Sequence, residues 1–223
     1  MTHEATIENR SVAVQSSSLQ QVTEPVQESL AVFRDFFKKE ISSDVWLLDR
    51  IIHYLLRQKG KEIRPTLVFM TARMFGEVDH RSYVGATMIE LLHTATLIHD
   101  DVVDESTERR GQLSVNAIFN NKVAVLSGDY LLASSLVQVG LTRNHAIIDI
   151  VSSLGQDLAE GELLQLSNVS NLQFSEDIYF NVIRKKTAVL FAACTKAGAL
   201  SVGTDDEKAE FARLFGEYIG LCF

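Results

Sequence analysis

The chain has 223 residues, 46% of them hydrophobic, with 29 acidic against 21 basic side chains and a formal charge of −8. That length suits one domain able to bury a core and enclose an apolar pocket, and the negative charge disfavours polyanionic partners, so nucleic acid is not expected. Two cysteines, Cys194 and Cys222, lie among apolar residues, which points to neither a disulfide framework nor a metal knuckle and fits a reducing, cytoplasmic setting.

From the start of the chain, residues 1–24 are rich in Ser, Thr, Gln and Glu and lack the apolar core of a signal peptide, so they read as a mobile polar tail. Val26, Leu30, Phe33, Phe37 and Ile41 then recur at helical spacing, as do Leu48, Ile52, Leu55 and Leu56. Pro65 suits the first turn of a third helix that runs to Phe75 and stops at Gly76. A fourth, much more apolar helix is predicted from about Tyr83 to Asp104. The charged stretch Glu105 to Gln112, which contains Gly111, reads as an exposed loop. Helices resume over 122–141, 145–167, 175–200 and 205–223, the last opened by Thr204 with Glu207 in a capping-box pattern. Strand signals are nearly absent, and the class is all-α. No transmembrane segment is expected, because the apolar runs are cut by Lys196, Asp129 or Asn120 before the roughly 18 to 20 residues that cross a bilayer.

The end of the fourth helix carries the chemistry. Asp100, Asp101 and Asp104 follow an otherwise apolar run, and Asp100 and Asp104 fall on one helical face, where their charges repel. Acids are also disfavoured at a helix C-terminus, where the backbone dipole is negative. A bound cation reverses both penalties, and an all-carboxylate donor set completed by water and phosphate suits Mg2+ better than zinc. Arg109 and Arg110 follow, with planar guanidinium groups suited to phosphate oxygens.

Gly60-Lys61-x-x-Arg64-Pro65 and the run from Glu90 through His93, His99 and the three aspartates to Gly111 resemble the polyprenyl synthetase family. Gly128 to Leu132, Ala159 to Glu162 and Lys185 to Ala188 are similar to family segments in the same order, so the resemblance covers about residue 25 to the end. It implies an isoprenoid-synthase-like helical bundle around a central apolar cavity, with residues 25–223 as the N-terminal part of the domain and the C-terminal helices absent. It implies a prenyltransferase that condenses isopentenyl diphosphate with an allylic prenyl diphosphate, working as a homodimer with magnesium. Asp100 and Asp104 match the metal ligands, with Asp101 as their catalytic neighbour. Lys61, Arg64, His93 and Arg110 match contacts to isopentenyl diphosphate, and Arg109, Lys186 and Thr187 match contacts to the allylic diphosphate. Small residues at Ala95 and Thr96 imply a tunnel open to products of at least about twenty carbons, since Ala95 lies about 7.5 Å from Asp100 along the helix.

Glu62 and Leu113 stand where the family usually has arginine and proline. The sequence also stops at Gly220-Leu221-Cys222-Phe223, before a second aspartate-rich motif, so this chain alone is expected to turn over little. Four rival readings are weaker. His99-Asp100 with His53 could belong to an HD-type phosphohydrolase, and Glu90-x-x-His93 with Glu77-x-x-His80 could belong to a di-iron bundle. A terpene cyclase shares the aspartate motif but needs no isopentenyl site, and a non-catalytic helical subunit or scaffold would dispense with the second motif.

Overall fold

The predicted helical periodicity is realised in eleven α-helices among residues 19–58, 60–142, 144–170 and 175–223, which this computed structural model describes. Helix α1 (Leu19–Thr23) and a 3₁₀ turn (Glu24–Val26) lead into α2 (Gln27–Glu40). The last part of the predicted tail is therefore helical, ending at the buried Val26, while residues 1–18 lie outside the described residues. Helices α3 (Trp46–Arg57) and α4 (Ile63–Phe75) follow, with Pro65 in the first turn of α4 and Gly76 ending it.

Helix α5 (His80–Val103) starts three residues earlier than predicted because Asp79 caps it. The Asp79 carboxylate accepts from the Arg81 amide at 2.8 Å, and the Ser82 hydroxyl accepts from the Asp79 amide at 3.4 Å. Such a cap satisfies amides that the first helical turn leaves unpaired. At the other end of the chain the predicted cap is off by one residue. The N-cap of α11 (Asp206–Cys222) is Asp205, which accepts from the Lys208 amide at 2.9 Å.

The loop expected at 105–112 contains a two-residue antiparallel hairpin, β1 (Glu108–Arg109) and β2 (Gln112–Leu113), with Arg109 paired to Gln112. Its turn residues, Arg110 and Gly111, have φ of 54° and 74°, the pattern of a tight two-residue hairpin turn. Helices α6 (Val115–Phe119), α7 (Asn121–Thr142) and α8 (His145–Ser170) come next. The single helix expected over 175–200 is divided into α9 (Glu176–Ile183), a π-helical turn (Arg184–Ala188) and α10 (Val189–Ser201).

Helix α5 is the axle. One side carries Met88, Ile89 and Leu92 into a core shared with Phe33 of α2, Phe69 of α4, Val151 and Leu154 of α8, and Cys194 and Ala197 of α10. The other side carries Leu91, Ala95 and Ile98 against Ile51 and Ile52 of α3, Val115 of α6, and Ala124 and Leu131 of α7. A helix buried on both sides must be apolar nearly all round, which is how α5 reads until its last turn. Among the described residues, α7 is also long and apolar enough to cross a membrane by length and composition. It packs against α5 through Ala124 and Leu131, however, and its exposed apolar residues, including Leu126, Leu136, Val137 and Leu141, lie away from that contact.

Candidate active site

The last turn of α5 separates three neighbouring carboxylates by direction. Successive helical residues point about 100° apart, so Asp100 and Asp101 face different surroundings. Asp101 is buried and grips Arg109, whose Nε donates to Oδ1 and Oδ2 at 2.9 and 3.0 Å and whose second guanidinium nitrogen lies 2.7 Å from Oδ1. These bonds and the charge of Asp101 hold the Arg109 guanidinium above its ordinary pKa. The Asp101 carbonyl also accepts from the Ser106 amide at 2.9 Å and from the Asn116 side chain at 3.2 Å. Asp101 is thus a structural anchor that ties the arginine hairpin to α5.

Among the described residues, Asp100 and Asp104 have no such partner. Asp104 closes the helix through its amide, which donates to the Asp100 carbonyl at 2.8 Å, and its side chain is exposed. Burial, then the like charge of Glu162, raises the Asp100 pKa. Lys186 and Arg109 oppose the rise, and Asp104 adds to it. The π turn brings Lys186 here. Its ammonium lies 2.5 Å from Glu162 Oε2 and donates to Gln165 Oε1 at 2.9 Å, both on α8. A π turn inserts one residue into the helical ladder and re-aims the side chains within it, a common device at functional sites. Gly161 makes room, since a Cβ there would lie 2.9 Å from the Cβ of Lys185. Lys185 itself is spent on Asp157 and Glu160, each at 2.8 Å. Thr187 sits half-buried in the same turn.

A second cationic group stands two turns back along α5. Arg110, in the hairpin turn, brings a guanidinium nitrogen to 2.9 Å from where a Cβ on Gly60 would begin, which joins the hairpin to the chain segment before α4. Arg64 of α4 is largely buried, its Nε has no hydrogen-bond partner, and burial lowers its pKa although the charge of Glu90 opposes the fall. Glu90 is itself pushed up by burial, with Arg64 and Arg110 opposing. His93 is buried between these charges. Burial first, then Arg64, Arg110 and Arg109, drive its pKa down to about 2, so the imidazole is neutral at ordinary pH. Lys61 is exposed beside this group in sequence.

A depressed histidine pKa has a signed consequence for stability. Between about 6.5 and about 2 the unfolded chain binds a proton that folded His93 refuses, so stability falls as pH drops below 6.5. His93→Gln should flatten the decline in melting temperature between pH 6.5 and pH 4.5, as followed by circular dichroism. An unchanged slope would place that acid sensitivity elsewhere.

Other expected site residues lie outside both groups. Ala95 is 1% exposed among Ile51, Ile52, Leu91 and Ile98, and Thr96 donates to the His93 carbonyl at 2.8 Å. A cavity of about 360 Å³ opens between α8, α10 and α11, but none of the predicted site residues lines it. Glu62, at the unusual position, has φ of 49° and is held by Arg34, whose Nε and Nη2 donate to its carboxylate at 2.9 and 2.7 Å. Leu113 is exposed, and its carbonyl accepts from the Tyr54 hydroxyl at 2.5 Å. Glu162 was not singled out from the sequence, because its importance depends on α8 packing against the π turn.

The geometry weighs against two rivals. His99 is committed to α7, where Nε2 lies 3.3 Å from both the Val125 carbonyl and Asp129 Oδ1, and His53 bonds within its own helix to Asp49. His80 meets Phe36 edge to face, and Glu77 is exposed in the turn before α5. Among the described residues no three His, Cys, Asp or Glu side chains stand close enough to close a metal site by themselves. A magnesium ion, usually held by one or two carboxylates and completed by water and substrate phosphates, would not require such a group. The partnerless, charge-crowded carboxylate of Asp100 is the residue that such an ion would relieve.

Comparison with known proteins identifies the family. The family profile described as Polyprenyl synthetase matches residues 45–223. Octaprenyl diphosphate synthase of Escherichia coli is 34% identical over 92% of this chain, and the match spans 64% of that enzyme. A polyprenyl synthase from Caulobacter crescentus, crystallised with calcium and isoprenyl diphosphate, superposes with a TM-score of 0.87 at 33% identity, over 92% of this chain and 63% of that one. Geranylgeranyl pyrophosphate synthase from Bacteroides thetaiotaomicron is 51% identical with a TM-score of 0.76, over 92% of this chain and 61% of that one. The chain thus spans a little under two-thirds of the length of these relatives. With the motifs, the helical fold and the family profile in register over most of its length, the chain belongs to the polyprenyl synthetase family.

Proposed function

We propose that the site condenses isopentenyl diphosphate with an allylic prenyl diphosphate to give a longer trans-prenyl diphosphate. The observation that carries this reading is the division of cationic side chains into two groups, one beside Asp100 and one two turns back along α5. Arg109 and Lys186, with the Thr187 hydroxyl, form one, suited to the allylic diphosphate. Arg64, Arg110 and neutral His93, with Lys61 at the edge, form the other, suited to isopentenyl diphosphate. Each can answer the charge of one diphosphate with charge-assisted hydrogen bonds.

Asp100 and Asp104 would hold magnesium, which when bound neutralises the departing diphosphate and eases rupture of the allylic C–O bond. Arg109 and Lys186 hold the leaving group from the protein side. His93, being neutral, can donate to a phosphate oxygen without adding charge beside Arg64 and Arg110. The apolar face of α5 keeps water from the carbocation. The isopentenyl double bond attacks that cation, and loss of a proton restores an allylic diphosphate one unit longer.

Incubation with magnesium, radiolabelled isopentenyl diphosphate and a series of allylic primers tests the reading. Extraction of labelled prenyl products is expected from a chain extended to the length of its relatives, and no incorporation with any primer would overturn it. In that extended chain, Arg110→Ala is expected to raise the Michaelis constant for isopentenyl diphosphate by about ten- to a hundred-fold, the worth of a charge-assisted phosphate contact. An unchanged constant would assign Arg110 to the hairpin turn alone.

The reading extends to products of at least about twenty carbons where the tunnel runs past Ala95, one and a half turns below Asp100, since a methyl group there obstructs a growing chain less than a phenyl ring would. Ala95→Phe should shorten the products with turnover of a short primer retained. An identical product distribution would remove Ala95 from the tunnel. Exposed Leu126, Leu136, Val137 and Leu141 on α7 support a homodimer that covers this face, and two thiols without a disulfide fit the cytoplasm.

A further inference from the structure

Among the described residues, Glu162 is the acidic group from another helix that acts on Asp100, and its two oxygens are treated unequally. Oε2 receives the Lys186 ammonium at 2.5 Å, while Oε1 is buried with no hydrogen-bond partner. An orphaned carboxylate oxygen in a site already crowded with negative charge is unfavourable unless a cation reaches it. Lys186 stands nearby as a cation, and Gln165 braces it from the same helix at 2.9 Å. Its neighbour Lys185, fully engaged by Asp157 and Glu160, fixes the π turn and leaves Lys186 as the side chain able to change partner. Among the described residues, Asp100, Asp104 and Glu162 do not group as a metal cluster.

Resting on the prenyl-transfer reading, we infer that Lys186 and Glu162 form an exchangeable latch, and that Glu162 is an additional oxygen ligand for the cation. With the site empty, Lys186 neutralises Glu162. When a diphosphate arrives, its oxygens compete for the ammonium, and Glu162 is freed to turn toward the ion held by Asp100 and Asp104. The exchange keeps the charge of the site balanced in both states. Three carboxylates without a cation would repel, and a lysine on the phosphate would otherwise leave Glu162 buried and unpaired. It also makes Lys186 a positioning residue for the metal as well as a contact for the substrate.

Manganese(II), an oxygen-seeking stand-in for magnesium whose free form is counted by electron paramagnetic resonance, tests this on the 223-residue chain without any turnover. Glu162→Gln alone should leave manganese binding close to that of the parent, because Lys186 holds Glu162 while no diphosphate is present. Lys186→Met should strengthen it, because Glu162 is then released. In the double variant that gain should vanish, whereas simple removal of a positive charge near Asp100 would leave it intact. Circular dichroism confirms that each variant is folded, and Lys186→Arg, which keeps the charge, should behave like the parent. No gain in Lys186→Met, or a gain that survives in the double variant, overturns the latch. Asp100→Asn separates the two levels. If it abolishes manganese binding while Lys186→Met brings no gain, the latch alone falls; if the parent chain binds no manganese, the metal reading falls with it.

Discussion

Asp100→Asn, in a chain extended to the length of its relatives, is expected to lower the rate of isopentenyl transfer by about a hundred- to a thousand-fold, with the fold intact. The estimate is the cost of removing one preorganised electrostatic partner of a developing charge. An amide keeps the shape of the side chain but offers the ion a neutral oxygen, so less of the leaving diphosphate's charge is compensated. The same substitution should leave the melting temperature at or above that of the parent near neutral pH. Burial and the charges of Glu162 and Asp104 already disfavour the ionised form of Asp100, so neutralising it relieves repulsion. The sign follows from the raised pKa, because the folded protein pays for ionising Asp100 as pH rises through that value. Transfer at the parent rate would show that Asp100 carries no metal needed for the step, and a large loss of stability would make it an anchor like its neighbour.

Asp101→Ala is expected to do the opposite, lowering stability by about 2–3 kcal/mol, somewhat less than the usual cost of breaking a buried ion pair because Arg109 can turn partly toward water. For a chain of this size that is a fall in melting temperature of roughly 5–10 °C. The reason is geometric: the carboxylate is 4% exposed and receives three contacts of 2.7 to 3.0 Å from Arg109, the residue that opens the hairpin. Without it, the left-handed backbone of Arg110 loses part of the support that holds a non-glycine residue there, and both arginines lose their aim. Activity should therefore fall as well, through a higher Michaelis constant for each diphosphate. Adding Arg109→Met removes the unpaired charge and should recover part of the melting temperature without recovering activity. Differential scanning calorimetry and initial rates on the two variants check this. Equal stability of Asp101→Ala and the parent would mean that the hairpin is held by Ser106, Ser114 and Asn116 alone.

The sequence alone determined the helical class, the position of α5, and the grouping of Asp100, Asp104 and His93, because residues four and seven apart on one helix share a face whatever the rest of the chain does. Proline and glycine marked the start and end of α4 for the same local reason, and the resemblance to the family rested on contiguous segments that survive as linear text. Three matters were decided only by tertiary structure. Asp101 became an anchor and Asp100 a partnerless acid because only one of these adjacent side chains faces the hairpin. His99, readable as half of a metal pair, was taken up by α7, twenty-six residues further along the chain. Glu162 met Lys186 because a π turn re-aimed a lysine and Gly161 let two helix backbones close on each other, a meeting of residues on separate helices that no periodic pattern encodes. Helical spacing sets direction within one helix; which neighbour lies in that direction depends on how the helices pack.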